Sequence, residues 1–484
     1  MSIQRACSFI AVALLVSASV ACGDSDPDGP GGGAEGGSGI GGEAGQPGDG
    51  GAGGAVASMP SMAVVHAVSG EPAVRPLIFE PLAVHVTNAG PSEELTVVAT
   101  MGTYRSEATF VASADGNIDT AADAPKDGTY AGADADGLVW SMLPDDSASS
   151  SFGDGSIHYA LERDGDVLAE VDVERIDVAD DVERRDVPAE AGFVGVVYVP
   201  EGPGPHPVVV GFGGSEGGLW FGDEIAKTYA SLGYVGVGVA YFGAPTLPNG
   251  LTDVPLEYFE SVFGYLSQIP EADPSSIAVM GASRGGELSL LLGAHYPEVK
   301  AVVALVPSGY VWGSTESFTE AAWTLAGAPL AYVPSSGSLA EVTEAPDGKD
   351  VYHFTPTFLD SIAEATPEEI AAATIPIEAT VGPVLLIGGQ ADELWPSCSL
   401  AEVAFDRLET SGHTDSHADE LVCYENSGHF TNPINAGFPM TTASLSYNAS
   451  FGVYYAMGGT AEGLGHAARD SFNRVEAFLE TSLR

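Results

Sequence analysis

A serine hydroxyl is a weak nucleophile until a neighbouring base takes its proton, and that base works only when an acid orients and balances it. Three stretches of this sequence supply residues for such a relay. Gly281-Ala282-Ser283-Arg284-Gly285 follows an apolar run at 277–280 and leads straight into a helix-like segment at 287–294. Strand, sharp turn and helix in that order make a nucleophile elbow, which lifts the serine above a sheet edge. Leu385-Leu386-Ile387-Gly388-Gly389-Gln390-Ala391-Asp392 reads as a buried strand, a glycine turn and a carboxylate. Leu421-Val422-Cys423-Tyr424 reads as a last strand, with His429 on the loop beyond it. The expected roles are Ser283 as nucleophile, Asp392 as orienting acid and His429 as base.

Each role has competitors. With 62 glycines in 484 residues, a Gly-x-Ser-x-Gly pattern carries little by itself, and a second one occurs at Gly213-Gly214-Ser215-Glu216-Gly217. That copy comes before enough strands exist to hold a nucleophile, so it reads as the oxyanion loop. Two backbone N–H donors are needed there. Arg284, which follows the nucleophile, supplies one, and Gly214 or Ser215 the other. Glu393 and Asp406 compete with Asp392. His413 and His417 lie in a polar linker, and His466 opens the final helix.

These residues need a scaffold. From 187 to 484, strand-like runs at 193–199, 207–212, 235–242, 277–280, 301–306, 384–387 and 421–424 alternate with helical segments at 225–232, 255–268 and 287–294. A closing helix is expected at 467–483. Such alternation predicts a mostly parallel sheet with helices on both faces. Residues 308–380 break the rhythm and read as a lid or substrate-shaping insertion above the strand ends. Before 187 the pattern changes. Short alternating runs between 62 and 186, separated by turns such as Asp164-Gly165-Asp166, predict a small antiparallel β-sandwich. Asp119, Asp123, Asp127, Asp134 and Asp136 cluster there without the spacing of a calcium loop. No zinc-like spacing occurs, and neither metal nor cofactor is expected.

The formal net charge is −51, with 16 Lys and Arg against 67 Asp and Glu. No basic patch exists to bind nucleic acid or anionic lipid. At the start, one arginine and an apolar run at 9–20 read as a signal peptide, 1–21, too short for a membrane span. Ser19-Val20-Ala21-Cys22 is similar to a bacterial lipobox, which would make Cys22 a lipidated N-terminus; simple cleavage near Ala21 is the alternative. Residues 22–57, almost all small or acidic, read as a disordered tether. Together these predict an exported bacterial lipoprotein anchored at the cell envelope. Cys398 and Cys423 remain, and in an oxidising compartment a disulfide between them is expected; two separate thiols are the alternative.

The chain also resembles a known family, the acyl-CoA thioesterases and bile acid-CoA:amino acid N-acyltransferases. The likeness is carried in the first domain by residues 125–134 (PKDGTYAGAD) and 137–142 (GLVWSM). In the second it is carried by 212–219 (FGGSEGGL), 240–243 (AYFG), 375–378 (IPIE), 382–387 (GPVLLI) and 394–397 (LWPS). It implies a β domain followed by an α/β-hydrolase domain, with Ser283, Asp392 and His429 as the triad. Family members often carry two aspartates where this chain has Ala391-Asp392, and the second is the matching one. Transferase members use cysteine as nucleophile, so Ser283 implies hydrolysis. The expected activity is hydrolysis of a small acyl ester or thioester through an acyl-enzyme on Ser283. N-acyl transfer with the same triad and a catalytically silent binding lipoprotein are the alternatives.

Overall fold

The computed structural model describes residues 59–145, 150–317 and 319–484. The expected leader 1–21, Cys22 and the tether 22–57 lie outside them. The larger body is organised by an eight-stranded sheet. Its order is Val182–Asp186, Val194–Pro200, Val235–Ala240, His206–Phe212, Ala272–Ala282, Val299–Leu305, Val384–Gly389, Glu420–Tyr424. The first two strands run antiparallel to their neighbours and the rest are parallel. This is an α/β-hydrolase architecture.

The inner strands read as continuous apolar runs because both faces are covered. Val208 and Val210 face a core closed by Glu260–Leu266, Arg284–His295 and Ser397–Ser411. Val209 faces the opposite side, under Trp220–Ser231 and Ala461–Leu483. The helix expected at 255–268 is a 3-10 turn, Leu256–Phe259, running into the short helix Glu260–Leu266.

The sheet starts one strand earlier than the boundary read at 187. Val182–Asp186 (VERRD) pairs with Val194–Pro200 and leaves most of its side chains exposed. A charged edge strand has no apolar face to announce it, and charge there discourages further pairing.

The first domain is two antiparallel sheets facing each other. One holds Ser61–His66, Leu82–Thr87 and Ile118–Asp119; the other is built on Glu94–Met101, Tyr104–Val111, Ile157–Arg163 and Asp166–Val173. Tyr104–Val111 alternates buried and exposed residues, as a strand with one wet face must. Val84 and Val86 from one sheet meet Val97, Phe110 and Tyr159 from the other.

This domain also grips the chain beyond His429. Met440 and Leu464 belong to its core, and Phe430 packs against it. The Met440 N–H donates to the Trp140 carbonyl at 2.9 Å, and buried Arg175 donates to the Gly437 carbonyl at 2.9 Å. Burial pushes the Arg175 guanidinium down to about 10. Arg469, on the closing helix, forks onto Asp136, while Asp134 accepts the Trp140 indole N–H at 2.7 Å. Asp134 also meets His466 of the closing helix at 2.9 Å, so two of the clustered aspartates join the domains.

Residues 308–380 fold over the carboxyl ends of the strands. Glu341–Glu344 and Asp350–His353 join Leu445–Asn448 and Val453–Ala456 in a four-stranded sheet. Two helices follow, Thr355–Glu364 and Pro367–Ala373. The second opens on a reciprocal cap between Thr366 and Glu369, with Pro367 in its first turn.

Candidate active site

Ser283 sits at φ 57°, ψ −120°, between the end of Ala272–Ala282 and the first residue of Arg284–His295. A left-handed serine is strained by on the order of 1–3 kcal/mol and must be held by its surroundings. Its N–H donates to the Leu305 carbonyl at 2.8 Å, and its carbonyl accepts from the Glu287 N–H at 3.0 Å. The flanking glycines have a steric reason. A Cβ on Gly281 would lie 2.4 Å from the Gly285 carbonyl oxygen, and one on Gly285 would lie 2.4 Å from that of Gly213. The second contact presses the elbow against the glycine loop at 213–217. Arg284 begins the helix, so its N–H has no place in the helix ladder.

Arg284 and Glu287 point inward. The guanidinium donates to the carbonyls of Gly313 at 2.8 Å and Trp312 at 3.0 Å, and its Nε lies 3.0 Å from Glu287 Oε2. Glu287 Oε1 accepts the Trp323 indole N–H at 2.7 Å. Burial lifts the Glu287 carboxyl up to about 7, with Arg284 and the indole pulling the other way. This pair fastens the lid to the elbow helix. Charges at i and i+3 in an apolar helix are the signal that could have revealed it.

Asp392 and His429 stand just beyond the carboxyl ends of the neighbouring strands Val384–Gly389 and Glu420–Tyr424. Asp392 Oδ1 accepts the N–H groups of Leu394 at 3.0 Å and Trp395 at 3.2 Å, and Oδ2 lies 2.9 Å from His429 Nδ1. Both side chains are buried. A carboxylate only accepts, so the shared proton belongs on Nδ1 and the lone pair on Nε2. The His429 N–H donates to the Met457 carbonyl at 2.7 Å, which fixes the loop. Trp395 meets the His429 ring edge-on at 6.0 Å and donates its indole N–H to Val306. Phe358 and then Trp312 continue this aromatic wall into the lid. Pattern reading passed over these rings because they become neighbours only through the lid.

The glycine loop behaves differently from its expected role in one respect. The Gly214 N–H already has an acceptor, Glu216 Oε1 at 2.8 Å, so it is not a ready oxyanion donor. The Tyr241 hydroxyl holds the same loop through the Gly213 carbonyl at 2.7 Å. Although the Glu216 residue is partly exposed, its carboxyl is enclosed by the loop. Burial raises it above the usual carboxylate range, against the pull of backbone N–H groups and His429. A Cβ on Gly214 would lie 3.0 Å from Glu216 Oε2 and 3.2 Å from Ser283 Cβ, so the Glu216 carboxyl group and Ser283 flank one glycine.

The competing groups are engaged elsewhere. His413 pairs with Asp419, His417 stacks on His413 at 4.2 Å, and His466 reaches Asp134. Glu393 meets His353 at 2.6 Å, and Asp406 lies on the helix Ser397–Ser411. The Cα atoms of Cys398 and Cys423 are 5.8 Å apart, within disulfide range.

Two family models match the chain. One, the C-terminal region of BAAT and acyl-CoA thioester hydrolases, covers residues 254–484. The other, the N-terminal region of acyl-CoA thioester hydrolase/BAAT proteins, covers 79–189. Acyl-coenzyme A thioesterase 2, mitochondrial, of Rattus norvegicus is 26% identical over 86% of this chain and 89% of its own length. Acyl-coenzyme A thioesterase 1 of Homo sapiens is 27% identical over 85% of this chain and 96% of its own. A hyperthermophilic esterase structure from Pyrobaculum calidifontis aligns over 62% of this chain and 83% of its own, at 18% identity and a TM-score of 0.37. The expectation of an exported, cell-envelope bacterial lipoprotein is overturned by these relatives, which are mammalian thioesterases, one of them named mitochondrial. Among the described residues no helix is long and apolar enough to cross a membrane. Matched in both its β domain and its α/β domain, and along most of its length, this chain belongs to the acyl-CoA thioester hydrolase/BAAT family.

Proposed function

We propose that this protein hydrolyses acyl esters and thioesters through a covalent acyl-enzyme on Ser283. The observation that carries the reading is the buried His429–Asp392 pair beyond two adjacent strands, with one strand between them and the strand that ends at a strained serine. His429 Nε2 takes the Ser283 proton as Oγ attacks the acyl carbon, and the carbonyl electrons move onto oxygen. The N–H groups of Arg284 and Ser215 hold that oxyanion. Collapse expels the thiolate or alkoxide, which takes the proton from the imidazolium. Water then repeats the attack, giving its proton to His429, and Ser283 leaves the acid with that proton restored. Asp392 keeps the imidazole oriented throughout. The acyl group lies along the wall of Trp395, Phe358 and Trp312.

A fluorophosphonate probe tests the reading. Digestion and mass spectrometry should place the label on Ser283, and Ser283→Ala should take none. Label on Ser215, or none on wild-type protein, would remove the proposal.

A further inference from the structure

The positions of the positive charges narrow the leaving group. Arg5 is the only basic residue outside the described segments. Among the described residues, every lysine and arginine already has a protein partner, and in all but two cases that partner is a carboxylate. Lys227 serves three at once, Asp177, Asp223 and Glu224. The two exceptions, Arg175 and Lys300, donate to backbone carbonyls.

Near the nucleophile the imbalance is sharper. The guanidinium beside Ser283, Arg284, is buried and held by Glu287 and two carbonyls. Lys349 is the only basic residue of the lid, 308–380, and it is paired with Asp347. Acidic side chains also stand near the candidate catalytic residues: Glu216, which holds the Gly214 N–H, and half-exposed Glu393 beside Asp392, which meets His353.

Resting on the hydrolase reading, we propose that the site is built for an acyl ester or thioester whose leaving group is uncharged or cationic, and not for coenzyme A. A phosphate needs charged, forked donors to replace its water. Here all but two of the described lysines and arginines must first abandon an acid, and of those two Arg175 is buried between the domains and Lys300 holds the Pro297 carbonyl. Before contact, the net charge of −51 repels a polyanion at long range and attracts a cation. Salt screens both effects.

The experiment holds the acyl group constant and varies the leaving group. Full-length protein is given S-butyryl-pantetheine, butyrylthiocholine and butyryl-CoA, each at low and high salt, with p-nitrophenyl butyrate alongside. Pantetheine keeps the whole thiol arm of CoA without its phosphates. The neutral and cationic thioesters should show kcat/KM at least about 10-fold above that of the CoA ester at low salt. Added salt should raise the CoA rate and lower the thiocholine rate. Cleavage of p-nitrophenyl butyrate alone also supports a neutral leaving group. Preference for the CoA ester, with a rate that falls as salt is added, overturns the proposal, as do equal rates insensitive to salt. If no substrate is cleaved and no fluorophosphonate label reaches Ser283, the hydrolase reading itself has failed and takes this proposal with it.

Discussion

Two buried histidine–aspartate pairs bracket the same two strands. At the carboxyl ends of Val384–Gly389 and Glu420–Tyr424 stands Asp392 with His429, at 2.9 Å; at their amino ends stands His413 with Asp419, at 2.7 Å. The pairs differ in what is left over. His413 Nε2 is occupied by the Thr380 carbonyl at 2.9 Å, and Asp419 Oδ1 accepts the Val384 N–H at 2.9 Å. That pair ties a linker to a strand start. Among the described residues, His429 Nε2 has no such partner, and the elbow lies on its side of the sheet. The proposed relay needs a histidine nitrogen left available at the edge where the Ser283 elbow stands, and of the two pairs only His429–Asp392 offers one there.

The two Gly-x-Ser-x-Gly turns teach the same lesson. After Phe212 the chain runs on for several residues before its helix starts at Trp220, so Ser215 is in an open loop. After Ala282 the helix starts at Arg284, so Ser283 is forced to a positive φ. The distance from strand end to helix start separates the elbow serine from the loop serine.

The largest expected effect tests this contrast directly. Ser283→Ala and His429→Ala should each lose on the order of 10⁴-fold in kcat or more, with circular dichroism unchanged. Asp392→Asn should lose somewhat less. Ser215→Ala should keep kcat within about 10-fold, since only its backbone N–H is asked to act. His413→Ala should keep kcat but lower Tm, because it strands Asp419 in the interior. Loss of turnover in His413→Ala, with His429→Ala active, would reverse the comparison.

A smaller effect concerns the glycine loop. Glu216→Ala removes the acceptor that holds the Gly214 N–H, and kcat/KM should fall on the order of 10-fold as the loop loosens. Glu216→Gln retains an amide oxygen in the same place and should restore most of that loss. If Gln is as impaired as Ala, the negative charge facing His429 matters more than the tether.

Much of the candidate site's placement was legible because its residues sit at strand ends, where the apolar pattern stops. The apolar runs ending at Met280, Ile387 and Tyr424 pointed to Ser283, Asp392 and His429 through loops only a few residues long. What stayed hidden depends on contacts between distant segments. The Arg284–Glu287 pair has meaning only once Trp312 and Trp323 close over it. Val182–Asp186 carried no apolar face. Gly214 looked like a donor because sequence cannot show Glu216 folding back onto it. The disulfide expectation drew on export, which no longer supports it, and now stands on the 5.8 Å Cα spacing alone. Two free thiols at Cys398 and Cys423 in denatured, non-reduced protein would withdraw it.

The smallest expected effect is a pH dependence, and it asks whether the Arg284–Glu287 pair is a structural counterpart of His413–Asp419. The Glu287 carboxyl moves from its ordinary value of 4.5 up to about 7 on folding, chiefly because it is buried. Between those values the folded protein keeps a proton that the unfolded chain has released. Stability from this group is therefore full below about 4.5, declines as pH rises through about 7, and is level above that. Glu287→Gln stays neutral throughout and lacks that decline. It also weakens the grip on Arg284, so its Tm should lie below that of the parent at pH 5. The gap should narrow toward pH 8, where the parent has taken on the cost of a buried charge. Subtracting the two Tm curves removes the repulsion shared by the other acidic groups. A gap that widens with pH would mean that Arg284 stabilises the ionised carboxylate by more than burial penalises it, and that the lid is fastened by a favourable ion pair.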